Sequence, residues 1–181
     1  MLSQKLTDRI NLQINREMYS AYLYMAMSAK LAGTGYQGVA KWLMTQYHEE
    51  MFHAMKFYTY LIDQGAAPAL AKIDAPDVKS ADIKETFQEV LKHEKWVTAS
   101  IRELLELAQA EKDYGTENLV RWYINEQLEE EKNANEILQN LDLMGDSKQA
   151  LYMLNLDLAA RAVTIPLDFS NPALLMAAAV P

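Results

Sequence analysis

A chain of 181 residues with half its side chains apolar has the size of one domain with a sizeable core. A formal net charge of −8 and no Lys/Arg cluster exclude a nucleic-acid partner, and the absence of cysteine excludes disulfides, zinc–thiolate sites and iron–sulfur clusters. No apolar run reaches bilayer length, and Met1–Ile10 carries charges in place of a signal's apolar stretch, so a cytoplasmic protein with no membrane partner is expected.

Helical periodicity dominates, and the first segment, 4–32, shows it most loosely: Leu6, Ile10, Gln13 or Ile14, Glu17, Tyr24 and Ser28 form its inward stripe. Gly33 and Gly35 end it. The second, 37–64, repeats at a 4-3-4-3 spacing through Val39, Leu43, Gln46, Glu50, His53, Phe57, Tyr60 and Gln64, and Gly65 follows. Residues 65–81 contain Pro68 and Pro76 and read as a connection. The third segment, 82–111, is the cleanest: Ile83, Phe87, Val90, Glu94, Val97, Ile101, Leu104 and Ala108, opened by Asp82 with Glu85 three residues on. Gly115 and Thr116 then mark the break before a fourth helix at 116–144, whose stripe runs Leu119, Tyr123, Glu126, Glu130, Asn133, Ile137, Asn140 and Met144. Gly145 precedes a shorter fifth helix at 147–160. The tail, 161–181, contains the apolar run Leu174–Val180, which needs cover from a shell interior, a neighbouring subunit or its own disorder.

Short links after helices one and three imply antiparallel neighbours. A 28-residue helix is about 42 Å long, and 17 extended residues span roughly 56 Å, so the 65–81 link is long enough to return helix three parallel to helix two. The expectation is an all-α four-helix bundle over residues 1–160, with one long crossover and a short fifth helix.

The chemistry lies in four acids on the inward stripes, Glu17, Glu50, Glu94 and Glu130, each near the middle of its helix. A buried unpaired carboxylate costs several kcal/mol, so acids converging in one dry layer are either protonated or neutralised by cations. Only His53 on these stripes offers a positive charge. Two divalent ions match four carboxylates, and Glu50 and His53, at i and i+3, reach one ion together. Bridging carboxylates, one imidazole and open positions suit iron or manganese better than structural zinc.

Asn15–Tyr24, His48–Phe57 and Trp122–Glu131 resemble the first, second and fourth helices of the bacterial non-haem ferritins, a resemblance that covers roughly residues 1–160. It implies a ferritin-like bundle and a di-iron centre: Glu17, Glu50 and His53 on one iron, Glu50 bridging, and Glu94 and Glu130 completing the second. Gln127 becomes a polar neighbour, and a third iron site falls on Glu49, Glu126 and Glu129 with help from Glu130. Glu126, Glu129 and Glu130 do share one helix edge, although Glu49 and Glu129 also read as solvated surface acids. Tyr24, two turns beyond Glu17, is implied as a hydrogen-bonding or electron-donating neighbour of the centre; a core tyrosine with a satisfied hydroxyl explains it equally. Trp122 is accounted for by packing.

The implied activity is that of a ferroxidase, oxidising Fe(II) with O2 or H2O2 and storing the ferric product inside a shell of 24 copies. Acids at the helix three–four turn (Glu111, Asp113, Glu117) line a pore in that shell or merely solvate the turn. Helix four carries Gln127-x-x-Glu130 where bacterioferritin and rubrerythrin carry a second Glu-x-x-His, and haem is not expected even though Met51 follows Glu50. A di-iron peroxidase or oxidase without storage is the alternative; a DNA-protecting relative and a metal-free bundle are weaker ones.

Overall fold

The computed structural model describes residues 2–177, all of whose regular structure is helical. Four long helices, α1 (Gln4–Ala32), α2 (Gln37–Asp63), α3 (Ile83–Ala110) and α4 (Tyr114–Met144), are followed by α5 (Lys148–Ala159) and α6 (Pro172–Ala177). Local chemistry fixes their starts. Ser3 accepts from the Leu6 amide, Asp82 from Glu85, Asp113 from Thr116 and Ser147 from Ala150, each satisfying a first-turn N–H left without an intrahelical partner.

Three expectations need correction. The fourth helix starts at Tyr114 rather than 116, with Asp113 as its cap, so Gly115 lies inside the first turn instead of after helix three. The left-handed residue past α3 is Lys112 (φ 56°). Within α4 the inward line passes through Gln127, Ala134 and Ile137, while Glu126 and Asn133 are half-buried and Asn140 is exposed. Gln64, at the end of the second stripe, is exposed too.

Hydrogen bonds trace the crossover. Ala69 donates its amide to Asn11 (2.8 Å), Asn15 donates to the Lys72 carbonyl (3.1 Å), and Lys30 donates to the carbonyls of Val78 (2.5 Å) and Lys79 (2.8 Å). The strand of chain between α2 and α3 thus climbs the flank of α1 from one end to the other. It delivers α3 parallel to α2 and antiparallel to α1. α5 docks across the start of α2, where Asn155 Oδ1 accepts from the amides of Gly38 (2.9 Å) and Val39 (3.2 Å). A side chain at 38 has no room: a Cβ there would stand 1.7 Å from the Asn155 carbonyl oxygen.

The core is not continuous. One apolar cluster gathers Leu23, Met27, Leu31, Val39, Leu43, Phe87 and Ile137 towards the α5 end. A second gathers Leu6, Ile10, Phe57, Leu61, Ile101, Leu104 and Val120 towards the opposite end. Between them lies a slab of buried polar groups, Gln13, Glu17, Gln46, Glu50, His53, Glu94, Gln127 and Glu130. In the tail, Leu175 of α6 is fully buried, and its carbonyl accepts from Lys56 of α2 (2.9 Å). Residues 178–181, including the end of the apolar Leu174–Val180 run, lie outside the described residues.

Candidate metal centre

Each long helix places one of these carboxylates in the slab because the apolar residues further along its inward stripe are locked into the clusters above and below. Glu17 sits between Ile14 and Ser20 on α1, Glu50 between Gln46 and His53 on α2, Glu94 between Val90 and Val97 on α3, and Glu130 between Gln127 and Ala134 on α4; all four are buried, as are their neighbours.

Glu17, Glu50 and His53 form the tight set: one ligating atom from each lies within 4.8 Å of the others. His53 Nδ1 is 3.5 Å from Glu50 and its Nε2 is 3.6 Å from Glu126, which is only slightly exposed. Gln13 donates to one oxygen of Glu17 (2.8 Å). The other oxygen of Glu17 and one of Glu50 are buried without a hydrogen-bond partner. Such orphans are rare in a folded interior because each forfeits its hydration for nothing. Here one of them, on Glu50, lies 3.5 Å from the His53 imidazole, and Glu17 belongs to the same tight set. The donor set fits a divalent cation.

The remaining pair is held differently. Glu94 accepts from the Tyr24 hydroxyl and from Gln127 (3.0 Å), and Glu130 accepts from Gln46 (2.6 Å). Glu94 and Glu130 share the slab with the tight set without joining its 4.8 Å group. Among the described residues no lysine or arginine hydrogen-bonds Glu17, Glu50, Glu94 or Glu130.

Electrostatics follow from the dryness. Burial pushes Glu17 up and Glu50 well above the usual carboxylate range. Burial, then the charge of Glu130, raises Glu94 to about 8. Glu130 is raised by burial, with Arg161 and His53 pulling the other way. For His53, burial alone would depress the imidazole, but the neighbouring carboxylates of Glu126, Glu50 and Glu17 outweigh it and hold it well above its ordinary value. Acid and imidazole are both pushed upward, so without metal the slab stores protons that a bound cation would replace. Tyr24 stays a hydroxyl, raised by burial and by the Glu94 charge.

The outer acids are scattered. Glu49 is buried beside the slab, where burial and the charge of Glu130 raise it to about 7 against the opposing pull of Arg161. Glu126 leans on His53, and Glu129 is exposed on the wall of a cleft that also contains Trp42 and Arg161. Met51, next to Glu50 in the chain, is half-buried and not among the slab residues. Two features escaped the sequence. Arg161 is brought to Glu49 from the tail, and His93, half-buried next to Glu94, pairs with Ser20 (2.8 Å) and is depressed by desolvation to about 4. Nothing in the spacing announced the first; the second stands one residue before the stripe position Glu94, off the α3 stripe.

A family model described as a ferritin-like domain matches residues 7–144. A probable bacterial non-heme ferritin-like protein of Haemophilus influenzae is 38% identical over 158 residues, covering 87% of this chain and 96% of that one. A bacterial non-heme ferritin of Staphylococcus aureus is 37% identical over 161 residues, covering 89% and 97%. Among solved structures, the open pore ferritin of the hyperthermophilic archaeon Archaeoglobus fulgidus superposes with a TM-score of 0.87 at 38% identity, over 89% of this chain and 98% of that one.

Proposed function

The chain belongs to the ferritin-like family, and from that premise we propose that it is an iron-storage ferritin: a ferroxidase that takes two Fe(II) ions into the slab, oxidises them and passes Fe(III) to a mineral held in a shell of 24 copies. The observation that carries this reading is the pair of orphaned carboxylate oxygens on Glu17 and Glu50 beside His53.

In this reading Glu17, Glu50 and His53 hold the first Fe(II), with Glu50 also reaching the second, which Glu94 and Glu130 complete. Glu94 and Glu130 must loosen their bonds to Gln127 and Gln46 to do so, and these amides take the carboxylates back when the ion leaves. The second position is all oxygen and therefore binds more weakly, which suits a product that has to move on. Each Fe(II) gives one electron to a two-electron acceptor, O2 or H2O2, and two protons accompany those electrons onto the reduced oxygen. The protonated slab is one local source of them. Tyr24 keeps Glu94 oriented through its hydroxyl. The slab lies between two apolar clusters that keep bulk water out, which strengthens every charge interaction within it. Across a shell of 24 chains the charge sums to roughly −190, a field that concentrates cations.

Stopped-flow mixing of Fe(II) with O2, and separately with H2O2, at two irons per chain tests the reading. Fast oxidation is expected, with the preferred oxidant identified by the faster arm, and Glu50→Ala should slow it at least a hundredfold. A variant that oxidises as fast as the parent sinks the proposed centre. A particle of roughly 500 kDa that retains many irons per chain supports storage, whereas a dimer retaining two makes the protein a di-iron oxidase or peroxidase.

A further inference from the structure

Beyond Ala160 the chain folds back over α2, and its first charged side chain, Arg161, lands among the outer acids. The guanidinium lies 4.8 Å from the centre of the Trp42 ring, donates to Gln46 Oε1, and donates to Glu49 Oε2 at 2.7 Å. Trp42, Gln46 and Glu49 stand four and three residues apart, one stripe of α2, so a flat side chain fits along them. Gln46 passes the contact on: its amide donates to Glu130 Oε2 at 2.6 Å. The backbone carrying Arg161 is anchored, because Lys41 donates to the Ala159 carbonyl (2.7 Å) and Asn155 grips the start of α2.

This is the position where the sequence resemblance implies a third iron, on Glu49, Glu126, Glu129 and Glu130. We propose that Arg161 is the resident cation of that acid set, so that this chain holds two divalent ions in its centre and binds no third one until the guanidinium is removed. The assignment rests on the reading of Glu17, Glu50, His53, Glu94 and Glu130 as ligands. Its physical basis is competition for one carboxylate. A divalent ion on Glu49 would have to break a charge-assisted bond, a second hydrogen bond and a stacking contact at once, and it would leave the guanidinium beside its own charge. Glu126 is already engaged with His53, and Glu129 points to solvent, so few strong ligands remain to repay that loss. Ferric product then has no intermediate stop beside the centre, and the tail residue sets the number of ions held there.

The test uses the assembled protein and redox-inert Zn(II). Equilibrium dialysis counts ions per chain, and anomalous diffraction from Zn(II)-soaked crystals locates them. The parent should show two ions in the slab and none against Glu49. Arg161→Gln and, independently, Arg161→Ala should each gain one ion per chain, with a new peak between Glu49 and Glu130. The double variant Arg161→Gln/Glu49→Gln should lose that ion again. A third ion against Glu49 in the parent, no gain in either single variant, or a gain that survives in the double variant overturns the proposal. A parent with no ion in the slab overturns the metal centre itself, whatever Arg161 does.

Discussion

Glu94 and His93 are adjacent in the chain and titrate in opposite senses. Glu94 has a folded-state value of about 8 against an ordinary value of 4.5, so its contribution to stability is full below about 4.5 and is lost as pH rises through about 8. Glu49, at about 7, adds to the loss over the same range. Metal-free protein should therefore melt at a lower temperature at pH 8.5 than at pH 6. Saturating Zn(II) should raise the melting temperature most at the higher pH, where no protons need to be displaced. Calorimetry at the two pH values, with and without the ion, checks this; a metal-free protein more stable at pH 8.5 contradicts it. His93, depressed from 6.5 to about 4, works the other way: its contribution is full above about 6.5 and is lost as pH falls through about 4. Its loss amounts to on the order of 3 kcal/mol. His93→Gln should flatten the acid limb of the stability profile between pH 6.5 and 4. At this scale the four slab acids were legible because helical period alone placed them, whereas the partner of Glu49 was not. Arg161 is 112 residues away, and no local pattern encodes a contact made by a tail.

The long helices could be read from the sequence where their apolar stripes were dense, as on α3, whose eight inward residues from Ile83 to Ala108 are all buried. They could not where polar residues interrupted the stripe. On α4 the acids at 126, 129 and 130 pulled the apparent line one residue away from Gln127 and Ala134, which pack inward. Gly115 misled for a different reason: it looks like a helix terminator, yet its place near Tyr60, 3.3 Å from where a Cβ would stand, gives it a packing role at the start of α4. The docking of α5 depends on a pair invisible in either helix alone, Gly38 and Asn155. Asn155→Ala removes the acceptor for two first-turn amides of α2 and should cost about 1–2 kcal/mol, roughly 2–8 °C in Tm. Gly38→Ala should be worse, because the obstructing atom is a backbone carbonyl that cannot swing aside; scanning calorimetry of both variants gives the order.

Over the whole molecule, two apolar clusters are separated by a charged slab that opposes folding unless it is protonated or filled. Replacing one acid with a neutral isostere should thus stabilise the empty protein while disabling it. Glu50→Gln is expected to raise the metal-free Tm by a few degrees at pH 8 and to abolish the increase that Zn(II) gives the parent, since breaking up crowded buried acids relieves desolvation and repulsion. A lower metal-free Tm would mean that Glu50 has a partner the fold needs. No helix among the described residues is long and apolar enough to cross a membrane.

The climb of residues 64–82 along α1 divides the protein into two hairpins, α1–α2 and α3–α4, joined by one exposed tether. Glu17, Glu50 and His53 belong to the first hairpin, Glu94 and Glu130 to the second. A bound ion pair would therefore act as a clasp between two half-proteins. A protease nick anywhere in the tether should leave two pieces held by the shared apolar clusters and by α5 on α2, with a melting temperature that rises on loading and falls again after chelation.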